Sequence, residues 1–280
     1  QDPNFYYLTG FREPEAVLVI VADADQSKTK HILFCRDKDE KREIWDGFRY
    51  GPEAAKDSFG FDEAYSITKI DEMLPDLLAN QTKVSFALGQ DAGLDARVTS
   101  WINKVKEKAR SGITAPTEVH DSRLILDEMR LLKDSGELQI MRDAAAISDK
   151  AHQRAMQFTR SGMMEYEVEA EFLHIFRQHG AQSPAYTSIV AGGANACVLH
   201  YIENDAELKS GDMLLIDAGC ELNGYASDIT RTFPVTGKFS DPQKALYEVV
   251  LTAQLASLRV MSFTKRKKVM RSKWGINTGS

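Results

Sequence analysis

The chain has 280 residues, 43% of them apolar and 27% charged, which is typical of a globular protein with room for two domains. Its net charge is −6, yet seven basic and no acidic residues lie between Arg259 and the end, so the other 258 residues carry a net charge of −13. This acidic body argues against nucleic acid as a partner. The lack of an eighteen-residue apolar run argues against a membrane span.

The three cysteines, Cys35, Cys197 and Cys220, are widely spaced and odd in number. They fit neither a disulfide framework nor a C-x-x-C metal pair, so we expect a reducing, cytoplasmic compartment. The chain begins at Gln1 without a Met and enters a strand-like run at residues 5–8. This start predicts that N-terminal residues are missing, and a processed or trimmed terminus is the alternative.

Short apolar runs alternate with helical patterns through the first third of the chain. The predicted elements are strands at residues 16–22, 31–35 and 84–88 and a helix at 71–78. Strands that alternate with helices are typical of an α/β domain. We expect this domain to cover residues 1–116, because Pro116 restricts the residue before it and breaks the periodicity.

The second domain, expected over residues 117–260, opens with helices. Asp134 and Glu137 have the spacing of a capping box. One face of the first helix holds Ile140, Ala144, Ile147, Ala151 and Ala155. The second helix is predicted to bury Val168, Phe172, Ile175 and Phe176 and to end at Gly180. From residue 188 the pattern changes to strands, so this domain is predicted to be α+β.

The densest cluster of chemically active side chains lies at residues 211–233, GDMLLIDAGCELNGYASDITRTF. Its Asn-Gly pair is typical of a two-residue hairpin turn, since both turn positions take positive φ. That turn predicts three facing pairs: Leu222 with Tyr225, Gly219 with Asp228, and Asp217 with Thr230. Because side chains alternate with period two, Asp217 and Asp228 are expected on one face, diagonal to each other.

Two carboxylates within an apolar hairpin need a compensating charge. A divalent metal is one answer, because carboxylate oxygens suit hard ions such as Mn²⁺ and Mg²⁺. The alternative is that one or both Asp residues pair with a buried arginine such as Arg231 or face water. Upstream, His200 follows two glycines and an apolar run. A lone His in that position is more often a satisfied core or surface residue than part of a site.

Taken together, three strings resemble the Xaa-Pro aminopeptidases, which belong to the pita-bread metallopeptidases with prolidase, methionine aminopeptidase and creatinase. The strings are LHYIEN at 199–204, IDAGC at 216–220 and GYASDITRTFP at 224–234. In addition, YYLTGFREPEA at 6–16 is similar to the N-terminal domain of the bacterial aminopeptidase P branch. The resemblance implies a creatinase-like α/β domain with a mixed sheet, followed by an incomplete α+β pita-bread domain.

The resemblance also implies the chemistry of the site, which would bind two divalent metal ions, Mn²⁺ foremost. Asp217 would bind one ion with both oxygens, Asp228 would bridge the two ions, and His200 would hydrogen-bond the scissile carbonyl. Tyr186 would line the substrate pocket, and Trp45 would help to close it. The implied substrates are peptides with proline in second position, attacked by a metal-activated hydroxide, and the implied assembly is a homodimer or homotetramer.

This chain departs from the family after the hairpin, where the family supplies one His and two Glu ligands. The six histidines are His31, His120, His152, His174, His179 and His200, so none follows Asp228. The only later carboxylate side chains, Asp241 and Glu248, lie in no family-like motif. We therefore expect a chain truncated at both ends, with an incomplete metal site and no activity of its own.

The basic tail at residues 261–280 matches nothing expected of the family, and we expect it to be disordered or aberrant. A truncated or out-of-frame end, a solvated surface extension and a nuclear-localisation or nucleic-acid arm are the three readings. A bare basic run supports the last of these poorly.

Two other functions remain open at the level of sequence. A prolidase-type dipeptidase uses the same metal ligands, and a catalytically dead pita-bread module would bind peptides or proteins. A module that had lost catalysis would have little reason to keep both Asp217 and Asp228. Their presence favours the enzyme.

Overall fold

The computed structural model describes residues 2–22 and 29–260, and the predicted basic tail at 261–280 lies outside them. Contacts divide the chain into two compact units, Gln1–Asp134 and Ser135–Ser280. Among the described residues, no helix combines the length and apolar character that crossing a membrane requires.

The first unit is built on a mixed sheet of the kind the sequence predicts. Its helices are α1 (Pro3–Thr9), α2 (Glu40–Asp46), α3 (Gly51–Phe59), α4 (Ile70–Leu78), α5 (Ala92–Glu107) and α6 (Arg123–Leu131). Its strands are β1 (Val17–Val21), β2 (Lys30–Cys35), β3 (Glu63–Ser66), β4 (Lys83–Phe86) and β5 (Glu118–Asp121). Strand β2 pairs antiparallel with β1 and parallel with β3, while β4 and β5 form a separate parallel pair. The alternation of strands and helices is therefore confirmed.

The prediction of a strand at residues 5–8 is wrong. These residues form most of helix α1. Aromatic residues favour strands, but local capping decides the outcome here. The Asp2 carboxylate accepts hydrogen bonds from the backbone N–H groups of Asn4 and Phe5 at 2.7 and 3.0 Å. At the other end Gly10 takes φ 66° and returns its N–H to the carbonyl of Tyr6.

Residues 117–134, which the sequence pattern assigned to the second domain, group with the first unit by their contacts. Strand β5 pairs with β4 of that unit. Helix α6 is tied to it as well, since the Arg130 guanidinium donates a 2.6 Å hydrogen bond to the Asn4 side chain.

The second unit opens with two helices, α7 (Ser135–Phe158) and α8 (Glu165–Gln178). The predicted helical faces are the buried ones. Fully buried positions include Ala144, Ala151, Ala155, Val168, Phe172 and Phe176. Beyond α8, Gly180 takes φ 87°, a conformation that costs glycine little, and its N–H binds the carbonyl of Arg177.

Two three-stranded antiparallel sheets follow. The strands are β6 (Ser183–Pro184), β7 (Ile189–Gly192), β8 (Met213–Ala218), β9 (Cys220–Leu222), β10 (Tyr225–Ala226) and β11 (Ile229–Pro234). One sheet has the order β11-β8-β7 and the other β10-β9-β6. Because β8 and β9 are separated only by Gly219, a single long hairpin contributes to both sheets. Residues of both sheets, among them Val190, Ile216 and Cys220, share one core with α7 and α8.

The last described element is helix α9 (Asp241–Val260), and none of its twenty residues is buried. Its exposed apolar side chains are Leu246, Val249, Val250, Leu251, Leu255, Leu258 and Val260. This helix therefore presents a large apolar surface within the described part of the chain.

Candidate metal centre

The hairpin has the register that its Asn-Gly turn predicts. Leu222 lies opposite Tyr225, and Asp217 lies opposite Thr230. At Gly219 the backbones of the two strands lie close together. A Cβ added there would lie 1.7 Å from the Ser227 carbonyl oxygen, so only glycine fits. The backbone that carries Asp228 is thereby held directly against the strand that carries Asp217.

Tyr186, in the loop between β6 and β7, joins the two aspartates. Its hydroxyl lies 2.5 Å from Oδ1 of Asp217 and 3.1 Å from Oδ1 of Asp228. One hydroxyl has a single proton to donate, so it cannot fully satisfy two carboxylates. The structure thus brings together Asp217, Asp228 and Tyr186, three of the five residues singled out by sequence.

The pKa of Tyr186 is raised well above its ordinary value of 10.0. Burial is the largest cause, because it disfavours the phenolate, and the hydrogen bond to Asp217 and the negative charges of Asp217 and Asp228 add to it. Tyr186 therefore stays protonated and acts as a hydrogen-bond donor to the carboxylates.

Arg231 does not supply the compensating charge considered in the sequence analysis. Its guanidinium donates to the carbonyl of Thr230 at 2.8 Å, and among the described residues it forms no ion pair with either aspartate.

The donor set itself fits a divalent metal, since two carboxylates converge on one point and hard ions prefer oxygen ligands. It is small, however. Within 2–22 and 29–260 no group of three or more His, Cys, Asp or Glu side chains is placed to hold an ion.

Neither His200 nor Trp45 forms a hydrogen bond or ion pair with this cluster among the described residues. His200 is exposed, in a loop that follows the 3₁₀ helix Gly193–Cys197, and its side chain forms no hydrogen bond or ion pair within the described ranges. Trp45 lies in α2 of the first unit and is 83% exposed. Their roles remain predictions from the family resemblance.

Two polar residues of α7, which the sequence pattern did not single out, support the hairpin. Ser148 Oγ lies 2.8 Å from the Ser227 hydroxyl and accepts a hydrogen bond from the N–H of Cys220. His152 lies one turn further along, with Nε2 3.3 Å from the carbonyl oxygen of Ala218. The available signal was the presence of polar side chains at helical spacing within the apolar face of α7.

A buried carboxylate was also missed. Glu165, the first residue of α8, is fully buried and accepts four hydrogen bonds. All four come from residues close to His200 in the chain. Sequence offered little to distinguish it, because glutamates at helix starts are common and usually solvated.

Comparison with known proteins identifies both units. Residues 1–86 match the family model described as the aminopeptidase P N-terminal domain, and residues 139–267 match the model of metallopeptidase family M24. Among curated proteins, the chain is 45% identical to the Xaa-Pro aminopeptidase of Escherichia coli, over 93% of this chain and 59% of that protein. It is 43% identical to the Xaa-Pro aminopeptidase of Haemophilus influenzae, over 93% of this chain and 58% of that protein.

Solved structures agree in fold. Proline aminopeptidase P II from Yersinia pestis superposes with a TM-score of 0.89 at 47% identity, covering 92% of this chain and 59% of that one. Zinc-substituted E. coli aminopeptidase P in complex with product gives a TM-score of 0.90 at 45% identity, with the same coverage. The chain thus spans about three fifths of the length of these relatives. The expected fold, an α/β N-terminal domain and part of a pita-bread domain, is confirmed.

Proposed function

Since the chain belongs to the pita-bread metallopeptidases of family M24, in their aminopeptidase P branch, we propose that it contributes to a proline-directed metalloaminopeptidase. The reaction is hydrolysis of the bond between an N-terminal residue and a following proline. The proposal takes the first unit as the N-terminal domain and the second unit as part of the catalytic domain.

The observation that carries this proposal is the convergence of Asp217 and Asp228 on the Tyr186 hydroxyl, at 2.5 and 3.1 Å. Two carboxylates so close together repel each other unless a cation or a proton intervenes. Tyr186 supplies one proton only. A protein that keeps both aspartates on one face of the hairpin gains from them chiefly by binding a cation.

We propose that Asp217 and Asp228 would hold two divalent ions, with Mn²⁺ as the proposed metal. When bound, such ions lower the pKa of water and so supply the nucleophile of peptide hydrolysis. The chain's own residues then act around that centre. Tyr186, held protonated, orients the Asp217 carboxylate, and exposed His200 donates a hydrogen bond to the carbonyl of the scissile peptide. Trp45 is proposed to help close the substrate pocket.

We further propose that the protein forms a homo-oligomer and acts in the cytoplasm. The exposed apolar face of α9 offers surface for association. The described cysteines are all free, as expected in a reducing compartment.

A chimera tests the proposed function. Residues 1–258 are joined to the remaining part of the E. coli Xaa-Pro aminopeptidase, and turnover of an Xaa-Pro peptide is measured with added Mn²⁺. We expect the chimera to cleave this peptide but not a matched peptide with alanine in second position. The 280-residue chain alone is expected to be inactive, because its two carboxylates do not complete a site. Its one glutamate after the hairpin, Glu248, lies in no family-like motif, so the group that would take the proton of the attacking water is missing.

Variants of the chimera make the test specific. Asp217→Asn and Asp228→Asn should each abolish turnover, because an amide is a weaker ligand for a hard ion than a carboxylate. Asp143→Asn is the matched control, since Asp143 is exposed on α7 and its carboxylate accepts a hydrogen bond from the Gln139 side chain, away from the aspartate pair. Manganese-dependent turnover by the short chain, lost in its own Asp217→Asn variant, would contradict the expected inactivity.

A further inference from the structure

Strand β7 is the outer strand of its sheet, and side chains satisfy the backbone groups along its open edge. On one side it pairs with β8. On the other, the Asn204 side chain accepts from the N–H of Val190 at 2.9 Å and donates to the carbonyl of Ser188 at 2.8 Å. Two residues further along, the N–H of Gly192 donates to Oε1 of Glu165 at 2.7 Å. Asn204 and Glu165 thus take the place of a neighbouring strand.

Glu165 uses both of its oxygens. Oε1 accepts from the N–H of Gly192 and from the Asn195 amide at 3.1 Å. Oε2 accepts from the Tyr201 hydroxyl at 2.7 Å and from the N–H of Ala206 at 3.0 Å. Burial together with the hydrogen bond to Glu165 raises the pKa of Tyr201 to about 12. Four donors point at one buried carboxylate, and each oxygen takes two of them.

The positions of these donors define a loop. Gly192 and Asn195 lie where residues 193–206 leave β7, while Tyr201 and Ala206 lie where the same segment returns. Glu165 therefore binds both ends of the segment that carries His200. A larger residue at Gly192 would also displace buried Leu208, because its Cβ would lie 2.7 Å from that side chain.

We propose that Glu165 is a positioning residue that fixes the His200 loop, residues 193–206, and through it the imidazole that contacts the substrate. The effect of Glu165 on catalysis rests on the proposed function, whereas its ordering of the loop does not. A carboxylate suits this position better than any other side chain of its size, because all four partners donate and a Gln would turn its own NH₂ group toward two of them.

The first experiment measures loop order in the 280-residue chain. Cys197 is exposed within the loop, whereas Cys35 and Cys220 are buried, so a nitroxide reagent labels Cys197 selectively. In Glu165→Gln the buried amide cannot satisfy all four donors, so the loop should become more mobile. The electron paramagnetic resonance line of the label should therefore narrow markedly. Glu167→Gln is the matched control. Glu167 lies in the same turn of α8, but within the described part of the chain its carboxylate binds only the N–H of Met164, so its variant should keep the wild-type line.

A second variant covers the case in which Glu165→Gln does not fold. Tyr201→Phe removes one of the four hydrogen bonds and should give an intermediate line width. A wild-type line in both folded Glu165→Gln and Tyr201→Phe overturns the proposal. So does a wild-type line in Tyr201→Phe when Glu165→Gln is unfolded.

The second experiment is a double-mutant cycle in the chimera. Glu165→Gln should lower kcat roughly tenfold or more, the loss expected when a buried polar network is broken, with the bound metal content unchanged. If Glu165 acts through His200, Glu165→Gln should cost little more in a His200→Ala background. Independent, multiplicative losses would overturn the positioning role. An inactive chimera would defeat the proposed function instead, and the spectroscopic result on the loop would still stand.

Discussion

At the residue scale, the buried imidazole of His152 is held neutral. Its Nε2 must carry a proton to donate to the carbonyl of Ala218, and its Nδ1 is buried without a partner among the described residues. Burial lowers the pKa of His152 below its ordinary value of 6.5, and the backbone carbonyls nearby offset this only in part. Protonation would place a positive charge in this buried site, which the loss of contact with water disfavours. This residue therefore links acid sensitivity to the hairpin.

The sign of the effect on stability follows from linkage. Because folding lowers the pKa of His152, the unfolded chain takes up a proton before the folded chain does as pH falls. The contribution of neutral His152 to the free energy of unfolding is fully present above pH 6.5 and is lost as pH falls through the lower, folded pKa. His152→Gln should flatten the loss of stability below pH 6.5, measured by urea denaturation at several pH values. His174→Gln, at an exposed position on α8, is the control and should leave the slope in place.

At the scale of elements, local sequence patterns predicted the structure best where they coincided with a tertiary requirement. The Asn223-Gly224 turn fixed the register of the whole hairpin, and hence the shared face of Asp217 and Asp228, because a two-residue turn leaves no freedom in pairing. The aromatic run in α1 was misread, because strand propensity is weaker than the combination of an Asp cap and a closing glycine. Glu165 could not be found from sequence, since its partners come together only when the loop folds back onto α8.

The hairpin itself depends on the absence of a side chain at Gly219. In Gly219→Ala the new Cβ would overlap the Ser227 carbonyl oxygen, 1.7 Å away, so the two strands must separate. We expect a loss of about 3 kcal/mol in the free energy of unfolding, at the upper end of overpacking effects. Urea denaturation followed by circular dichroism measures it.

Gly93→Ala serves as the control for that change. Gly93 has ordinary φ, and its new Cβ would meet only the Asp91 side chain, at 3.0 Å. Its effect should be smaller, because the Asp91 carboxylate, which caps α5, has to shift by only a few tenths of an ångström. Equal losses in the free energy of unfolding for the two variants would mean that the contact with the Ser227 carbonyl does not exclude a side chain at position 219.

At the scale of the whole molecule, metal affinity should reflect the small number of ligands. Asp217 and Asp228 supply too few donors for a closed site, and their charges repel. Titration calorimetry of the 280-residue chain with Mn²⁺ should give a dissociation constant on the order of millimolar, like that of a weak, open carboxylate site. The small heat of Mn²⁺ binding should disappear in Asp217→Asn and persist in Asp143→Asn. Tight binding of two ions per chain would refute this and would require further ligands.

The outer edge of β7, whose backbone groups are hydrogen-bonded to side chains, affects how copies of the protein can associate. A bare outer strand offers unpaired N–H and C=O groups to any other chain with a free edge, which is a route to fibrous aggregation. Here the groups at residues 188, 190 and 192 are already engaged by Asn204 and Glu165. The same two side chains that shape the loop thus guard the sheet against edge-to-edge addition. Substitutions that loosen the loop should therefore also make the protein prone to assemble through its strands.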